Sequence, residues 1–162
     1  MPAFHVRVTK DYLVFSAAHF ITYGGDVCER LHGHNYRVAA DVFGPLDENQ
    51  YVVDFVALRE ILKELVGEWD HHMLLPTRHP LIRVQASGQE VEATFHERRW
   101  VFPADDCILL PIPNTTTELL AELLGRQLLD RLEQTTGRRP GRVRIEIDEC
   151  EGQSAICDLQ GE

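Results

Sequence analysis

Positive charge is in short supply in this sequence. Its 16 lysines and arginines are outnumbered by 26 aspartates and glutamates, which gives a formal charge of −10. A protein that binds nucleic acid through the phosphates needs a basic face, so we expect no nucleic-acid partner. A small phosphorylated substrate remains compatible with this balance, because a few local arginines are enough to hold one.

Long apolar runs are also missing. No stretch approaches the roughly 20 apolar residues that a helix needs to span a bilayer, so we expect no membrane partner. The first residues lack a charged segment followed by an apolar stretch, which is the pattern of a secretory signal peptide. The expected location is the cytoplasm.

Cysteine is scarce and scattered. The four cysteines include no CxxC pair, so we expect reduced thiols and no zinc site made of cysteines alone. Repeats and low-complexity segments are absent as well. The 162 residues, 44% of them hydrophobic, suffice for one domain with a sizeable core, and we predict a single domain over 1–162.

Four segments have the pattern of β-strands. Residues 4–19 alternate and then become aromatic and branched, and residues 34–43 alternate between two faces. Residues 142–149 alternate apolar with charged side chains, and a short last strand passes through Ala155 and Ile156.

Two segments have the apolar spacing of helices. In the first, Asp54 is a plausible N-cap and Gly67 a plausible end. The second begins with Thr115 and Glu118, which match a capping box, and ends before Gly137.

The order of these elements indicates the fold class. Two strands and a helix precede residues 76–113, which are rich in turn residues and include a short strand near 91–96. A helix and two strands follow. This order predicts an α+β fold with an antiparallel four-stranded sheet and both helices on one face.

Three histidines stand where they can share a metal ion. His32 and His34 are two apart on a strand, so both imidazoles point the same way, and His19 ends the preceding strand. Three histidine ligands leave one tetrahedral position open, which is typical of a catalytic zinc. The other reading is three ordinary histidines at strand ends.

Other polar residues are candidates for proton transfer or binding. Cys28 lies four residues before His32, where a metal and Arg30 would favour its thiolate as a base or nucleophile; alternatively it is a small buried side chain. Glu149 continues an apolar strand face, so it is either an edge residue or a buried acceptor for an amidine-like edge.

Asp70 and His71 follow the first helix directly. A carboxylate beside an imidazole fixes its tautomer and raises its basicity if folding brings the two into contact. The other reading is a polar turn at a helix end. The remaining histidines, His5, His79 and His96, lack such a context, and we expect them at the surface.

Six segments form an ordered set of motifs. They are Phe15-Ser16-Ala17-Ala18-His19, Cys28-Glu29-Arg30-Leu31-His32-Gly33-His34-Asn35-Tyr36, Val52-Val53-Asp54-Phe55, Asp70-His71-His72, Asn114-Thr115-Thr116-Thr117-Glu118, and a strand ending in Glu149. In this order they resemble the 6-pyruvoyl/6-carboxy-tetrahydropterin synthase family. The similarity covers most of the chain except 76–113, which looks like an insertion.

The resemblance implies a T-fold (tunnelling fold), with trimers forming barrels that usually stack into a homo-hexamer, a dimer of trimers. It also implies a zinc-dependent carbon–oxygen lyase, without a redox cofactor. The substrate would be 7,8-dihydroneopterin triphosphate, and the product a 6-pyruvoyl- or 6-carboxy-tetrahydropterin.

The resemblance also assigns roles to residues. Zinc would be held by the three histidines. Cys28 would abstract a proton with Asp70 and His71 as the partner pair, and Glu149 would anchor the pterin ring. The start of the second helix would add contacts from Thr116 and Thr117.

One residue departs from the pattern. Glu29 lies three residues before His32, and in some members of the family a glutamate at that spacing replaces the cysteine and the enzyme forms 6-hydroxymethyl-dihydropterin. This chain has both Cys28 and Glu29, so three products stay open. Glu29 is alternatively a solvated loop residue, and the chain alternatively a zinc- or pterin-binding homologue without catalysis.

Overall fold

The computed structural model describes residues 2–162 and contains two α-helices, one short 3-10 helix (Ala104–Asp106) and twelve strands in that range. The α-helices are α1 (Phe55–Trp69) and α2 (Thr117–Thr136). In chain order the strands are β1 (Phe4–Val8), β2 (Val14–His19), β3 (Thr22–Tyr23), β4 (Val27–Cys28), β5 (His32–Gly44), β6 (His72–Pro76), β7 (Arg83–Ser87), β8 (Glu90–Phe95), β9 (Arg98–Pro103), β10 (Cys107–Leu110), β11 (Arg142–Cys150) and β12 (Gln153–Gln160).

A seven-stranded mixed sheet carries both helices. Its order is β10-β6-β2-β5-β11-β12, and β1 pairs separately with β5. The α+β class is confirmed, and the antiparallel strands β2, β5, β11 and β12 form the predicted four-stranded part. The prediction missed β6 and β10, which are parallel to their neighbours.

The predicted strand 4–19 is wrong, because it is two strands. The N–H of Leu13 donates to the carbonyl of Lys10 at 3.0 Å and closes a turn. After this turn the chain pairs with the other end of β5: β1 runs along its last residues, whereas His19 of β2 lies opposite His32 at its start.

Helix α1 begins as predicted and ends later. The Asp54 side chain accepts a hydrogen bond from the N–H of Val56 at 2.7 Å, which satisfies one of the free donors at the helix start. The helix continues past Gly67 to Trp69, because Val66 and Trp69 are buried in the core. Burial of these apolar side chains outweighs the low helix propensity of one glycine.

Helix α2 lacks the predicted capping box. Its N-cap is Thr116, whose side chain makes no cap bond. The hydroxyl of Thr115, which the predicted box would use, instead donates to the carbonyl of Phe20 at 3.3 Å. The end is as predicted: Gly137 has a φ of 72° and donates its N–H to the carbonyl of Glu133, a left-handed cap that suits glycine.

Gly125 marks a close approach between α2 and the sheet. A Cβ at this position would overlap Cδ1 of Leu159 and lie 3.2 Å from Cγ1 of Ile145. Both side chains come from the strands on which α2 packs, β11 and β12. A side chain at this position would require the Leu159 side chain to shift.

Residues 76–113 contribute β10 to the main sheet and contain a separate antiparallel meander, β7-β8-β9, which we call the insertion sheet. Its buried side chains Val91, Ala93 and Phe95 pack in a second apolar cluster with Phe20 and Met73 of the main sheet region. The insertion sheet is thus joined to the chain next to His19 by a shared core. No helix in residues 2–162 is both long and apolar enough to cross a membrane.

Candidate metal centre and substrate site

The three histidines predicted as metal ligands converge in the structure. The ring centroids of His19 and His32 are 4.8 Å apart, those of His32 and His34 are 4.8 Å apart, and those of His19 and His34 are 5.2 Å apart. One ring nitrogen of each histidine and a carboxylate oxygen of Glu149 all lie within 4.8 Å of one another. We call His19, His32 and His34 the histidine cluster.

Strand pairing produces this convergence. His19 lies directly opposite His32 in the antiparallel register of β2 and β5. His34 is two residues further along β5, so its side chain points to the same face. Tyr36 continues that face and stacks on Phe15 with ring centroids 4.7 Å apart, which anchors the cluster to the core.

Backbone carbonyls fix the orientation of two imidazoles. Nδ1 of His19 lies 2.8 Å from the carbonyl oxygen of Thr115, and Nδ1 of His32 lies 2.8 Å from that of Arg30. Because a carbonyl oxygen only accepts, each Nδ1 carries the proton and each Nε2 is unprotonated, and in His19 this Nε2 is also within reach of the Tyr36 hydroxyl. This is the usual second-sphere arrangement of metal-bound histidine.

The third imidazole, that of His34, has a buried nitrogen without a hydrogen-bond partner. Its Nε2 is buried and makes no hydrogen bond to any residue of the range 2–162. Oε1 of Glu149 is 3.0 Å away but does not meet hydrogen-bond geometry. Buried polar atoms are rarely left unpaired, so this donor set fits a bound cation such as zinc.

Burial also keeps His19 in the form that binds metal. Loss of solvent lowers the pKa of His19, against the opposing effect of the Thr115 carbonyl, and the neighbouring histidines lower it further. The imidazole is therefore neutral at neutral pH, as a metal ligand must be. Burial likewise raises the pKa of the Tyr36 hydroxyl, which lies 3.2 Å from Nε2 of His19 and stays protonated.

Glu149 lies at the border between the histidine cluster and a cavity. Oε1 is 3.7 Å from Nε2 of His19, and Gln153 donates to Oε2 at 3.2 Å. The β11–β12 register shifts between Asp148 and Cys150, so Glu149 has no partner in the strand ladder. The cavity beside it, of about 260 Å³, is also lined by Thr116 and Thr117 at the start of α2.

Cys28 and Glu29 are neighbours with different surroundings. Sγ of Cys28 packs against the second apolar cluster and lies 3.5 Å from the carbonyl oxygen of Glu29. Burial raises the pKa of the Cys28 thiol; the charge of Arg98 opposes this rise and that of Glu29 adds to it. The thiol is therefore protonated at neutral pH in the chain by itself.

The Glu29 carboxylate faces the histidine cluster. Oε1 lies 3.8 Å from Nε2 of His32 and accepts a hydrogen bond from the N–H of Ile21 at 2.9 Å. The alternative reading of Glu29 as a solvated loop residue is wrong, because this side chain is only 27% exposed and has a fixed partner.

Asp70 and His71 form the predicted pair. Nδ1 of His71 lies 2.9 Å from Oδ2 of Asp70, whose Oδ1 accepts the N–H of Ser16 at 2.7 Å. Burial raises the pKa of Asp70, but the bonds from Ser16 and His71 outweigh it and the net pKa is lowered. The carboxylate is thus ionised and can orient the ring.

The position of His71 suits contact with a substrate. Its side chain is 81% exposed, and its φ is 61°, a conformation that few residues other than glycine adopt. It lines a cavity of about 570 Å³ together with His34 and Asn35.

Two further residues near the site could not be identified from the residue pattern. His79, expected at the surface, is half-buried: Nε2 donates to Oγ1 of Thr22 at 2.7 Å, and Nδ1 accepts the N–H groups of Leu81 and Ile82 at 2.9 Å each. Arg98 of the insertion sheet contacts the segment that carries Cys28. Both contacts join residues more than fifty positions apart in the chain, and residue patterns do not reveal such pairs.

Known proteins are similar to this chain in sequence and in fold. A protein assigned as a 6-carboxy-5,6,7,8-tetrahydropterin synthase in Methanocaldococcus jannaschii is 33% identical over 144 residues, covering 88% of each chain. The structure of Plasmodium falciparum 6-pyruvoyl tetrahydropterin synthase superimposes with a TM-score of 0.90 at 30% identity over 99% of both chains.

The corresponding Plasmodium vivax enzyme has a TM-score of 0.89 at 26% identity over 99% of both chains, and two of its structures are variants in which a catalytic residue, a glutamate, is replaced by alanine or cysteine. These likenesses confirm the T-fold. The profile of the 6-pyruvoyl tetrahydropterin synthase family matches residues 7–160, and the chain belongs to this family.

Proposed function

We propose that this chain is a zinc-dependent reduced-pterin synthase, a carbon–oxygen lyase that acts on 7,8-dihydroneopterin triphosphate. The first candidate product is a 6-pyruvoyl- or 6-carboxy-tetrahydropterin. The observation that carries the proposal is the convergence of three imidazoles in the histidine cluster, two of them with Nδ1 bound to a backbone carbonyl. This arrangement leaves Nε2 atoms for one cation.

His19, His32 and His34 would hold the zinc, and a fourth position would be open to substrate. When bound, the ion would act as a Lewis acid toward the side-chain hydroxyl groups of the pterin and make the adjacent C–H and O–H groups more acidic. The protein must then hold the substrate in place and move protons.

Substrate orientation would come from Glu149 and the start of α2. The Glu149 carboxylate would accept two hydrogen bonds from the N–H and amino group of the pterin ring. Thr116 and Thr117 line the same cavity of about 260 Å³, and the backbone N–H groups in the first turn of a helix have no partner within the helix. They can bind the ring's acceptors.

Proton transfer would use Cys28 and the Asp70–His71 pair. His71 would give or take a proton at Nε2, because Nδ1 lies 2.9 Å from Asp70. Cys28 would take the proton from the substrate side chain once a bound cation favours its thiolate, and triphosphate would leave by elimination in the pyruvoyl-forming branch.

The high exposure of His71 supports a site shared between subunits. We propose that the chain assembles as a homo-hexamer, a dimer of trimers. In that assembly, the Asp70–His71 pair of one subunit would reach the zinc site of its neighbour.

A second candidate product is 6-hydroxymethyl-dihydropterin, with Glu29 as the base. Two observations favour it: the Glu29 carboxylate faces the histidine cluster, whereas Sγ of Cys28 packs in the second apolar cluster. The Plasmodium vivax relative also has a catalytic glutamate. A carboxylate needs no added activation to accept a proton at neutral pH.

The test is incubation of the zinc-loaded protein with 7,8-dihydroneopterin triphosphate, followed by mass spectrometry of the pterin product. We expect a 6-pyruvoyl, 6-carboxy or 6-hydroxymethyl pterin, and the mass distinguishes the candidates. If the protein binds the substrate without turnover, it is a pterin-binding homologue and not an enzyme.

A further inference from the structure

Arg98 of β9 reaches from the insertion sheet to the segment between β4 and β5. Its Nη1 atom donates to the carbonyl oxygen of Cys28 at 2.8 Å and to that of Glu29 at 3.1 Å. One guanidinium thus binds two successive carbonyls of the segment that precedes His32. Hydrogen bonds from a charged donor are stronger than neutral ones.

The same segment is held on its other side by Ile21. The N–H of Glu29 donates to the carbonyl of Ile21 at 3.0 Å, and the N–H of Ile21 donates to Oε1 of Glu29 at 2.9 Å. Glu29 is therefore fixed through its N–H and its carboxylate by Ile21, and through its carbonyl by Arg98. Without Arg98, the Cys28–Glu29 peptide would be held only by its N–H bond to Ile21, and the next peptide would lose the charged donor to its carbonyl.

Arg98 is itself held in place. Its guanidinium lies over the ring of Trp100 at 4.6 Å, and Trp100 stacks on Phe20 with ring centroids 4.3 Å apart and planes inclined by 20°. Cation–π and stacking contacts of this kind favour one position of the guanidinium. Phe20 directly follows His19, so Arg98 and the histidine cluster are supported by the same aromatic stack.

We propose that Arg98 is a positioning residue for the reaction: it orients the Cys28–Glu29 peptide so that the Glu29 carboxylate stays beside His32. Arg98 acts through Glu29 and does not touch the substrate. Its kinetic consequence rests on the second candidate of the proposed function, in which Glu29 is the base. Its structural consequence, the order of the Cys28–Glu29 segment, can be measured in the absence of any pterin.

The kinetic test compares Arg98→Met, Arg98→Lys and Arg99→Met. Arg99 is the matched control, because it is the next residue of β9 and, within residues 2–162, its side chain pairs with Glu92 alone, at 2.6 Å on the exposed surface. We expect Arg98→Met to lower kcat by about 10²-fold, the effect of a misplaced catalytic group, with KM and zinc content unchanged. Arg98→Lys keeps the charge and one donor and should recover part of kcat, and Arg99→Met should match the unchanged protein.

The structural test is hydrogen exchange of the peptide that spans residues 21–32, measured on the zinc-loaded protein without substrate. In Arg98→Met, these amides should exchange about tenfold faster or more, the effect of losing a charged hydrogen bond, while the amides of α1 and α2 keep their rates. If the protein without substitutions is inactive, the proposed function is rejected, but the exchange rates of residues 21–32 still test the role of Arg98.

Two results would overturn the inference. One is unchanged exchange over 21–32 in Arg98→Met. The other is an increase in exchange that is spread evenly over the whole chain, together with equal losses in kcat for Arg98→Met and Arg98→Lys. This result would show that Arg98 stabilises the fold in general. If Arg98→Met fails to fold, Arg98→Gln decides, because its shorter neutral side chain lacks the charged Nη1 donor, and unchanged exchange over 21–32 in that variant would overturn the inference.

Discussion

Nδ1 of His19 lies 2.8 Å from the carbonyl oxygen of Thr115, so the end of β2 is bound directly to the residue before the N-cap of α2. The Thr115 hydroxyl reinforces this contact by donating to the carbonyl of Phe20 at 3.3 Å. The first histidine of the cluster and the start of α2 therefore keep a fixed separation. Two hydrogen bonds thus join the proposed metal site to the proposed pterin site.

We expect zinc content to depend on the histidine cluster. His32→Ala and His34→Ala should each reduce bound zinc from one ion per chain to nearly none, because two histidines alone leave the ion without a closed coordination shell. Metal analysis after dialysis measures this, with His96→Asn as the control at an exposed position. Full occupancy in both alanine variants would rule out the site.

Glu149→Gln should weaken pterin binding and leave zinc in place. The neutral amide loses a charge-assisted contact with the ring, worth about 1.5–3 kcal/mol, which corresponds to a ten- to hundredfold rise in Kd. Titration calorimetry with a pterin measures this, and Glu151→Gln at an exposed neighbouring position is the control. Loss of zinc in Glu149→Gln would instead make Glu149 a metal ligand.

Cys28→Ala and Glu29→Gln should separate the two candidate reactions. Loss of a positioned general base costs on the order of 10²–10⁴-fold in turnover. Cys28→Ala should remove the formation of 6-pyruvoyl or 6-carboxy product, and Glu29→Gln the formation of 6-hydroxymethyl product, with zinc content kept in both. Product analysis checks this. A Cys28→Ala protein that still forms pyruvoyl or carboxy product at the original rate would disprove the thiol role.

Mixing two inactive variants should restore activity if the site is shared between subunits. His32→Ala lacks a metal ligand and His71→Ala lacks the exposed imidazole, so each is inactive alone. In a mixed oligomer, an intact His71 from one subunit can meet an intact zinc site of its neighbour. Activity is measured after joint refolding of the two proteins. No recovery in confirmed mixed oligomers would place both groups in one chain.

Stability should depend on pH through His79. Burial lowers the pKa of His79 in the folded chain, and protonation would cost the bonds that Nδ1 accepts from Leu81 and Ile82. The neutral ring therefore stabilises the fold above the unfolded pKa of about 6.5, and this contribution is lost as the pH falls toward the lower folded pKa.

The comparison for His79 is His79→Asn, which keeps an acceptor for the two N–H groups and does not titrate. The free energy of unfolding of the unchanged protein relative to His79→Asn should decrease between about pH 8 and about pH 5, the range in which a histidine of this kind titrates. Denaturant unfolding at several pH values measures it. A constant difference would show that His79 does not link folding to protonation.

The sequence predicted the parts of the site that follow from local geometry. Side chains two apart on a strand share a face, which is why His32 and His34 could be paired before the structure was known. The positions of Asp54 and Gly137 at helix ends follow from capping chemistry in the same way. Such patterns operate within a few residues, so they can be read directly.

Contacts between distant segments were not predictable in this manner. The Thr115 hydroxyl matched a capping box by spacing, but it bonds to Phe20, 95 residues earlier. Arg98 binds carbonyls 69 and 70 residues away. In these cases a distant residue replaces the partner that the local pattern predicts. Neither the local pattern nor the composition identifies that distant residue.

The close contact at Gly125 limits how the substrate site can vary. Gly125 lies eight residues after Thr117, about 12 Å along the axis at about 1.5 Å per residue. Alanine is the better helix former, yet at Gly125 its Cβ would overlap Cδ1 of Leu159, so either this half-buried side chain would change its rotamer or α2 would move away from the sheet. A movement of α2 would also displace its first turn, which carries Thr116 and Thr117. The proposed pterin site is therefore linked, through the helix, to a missing methyl group two turns away.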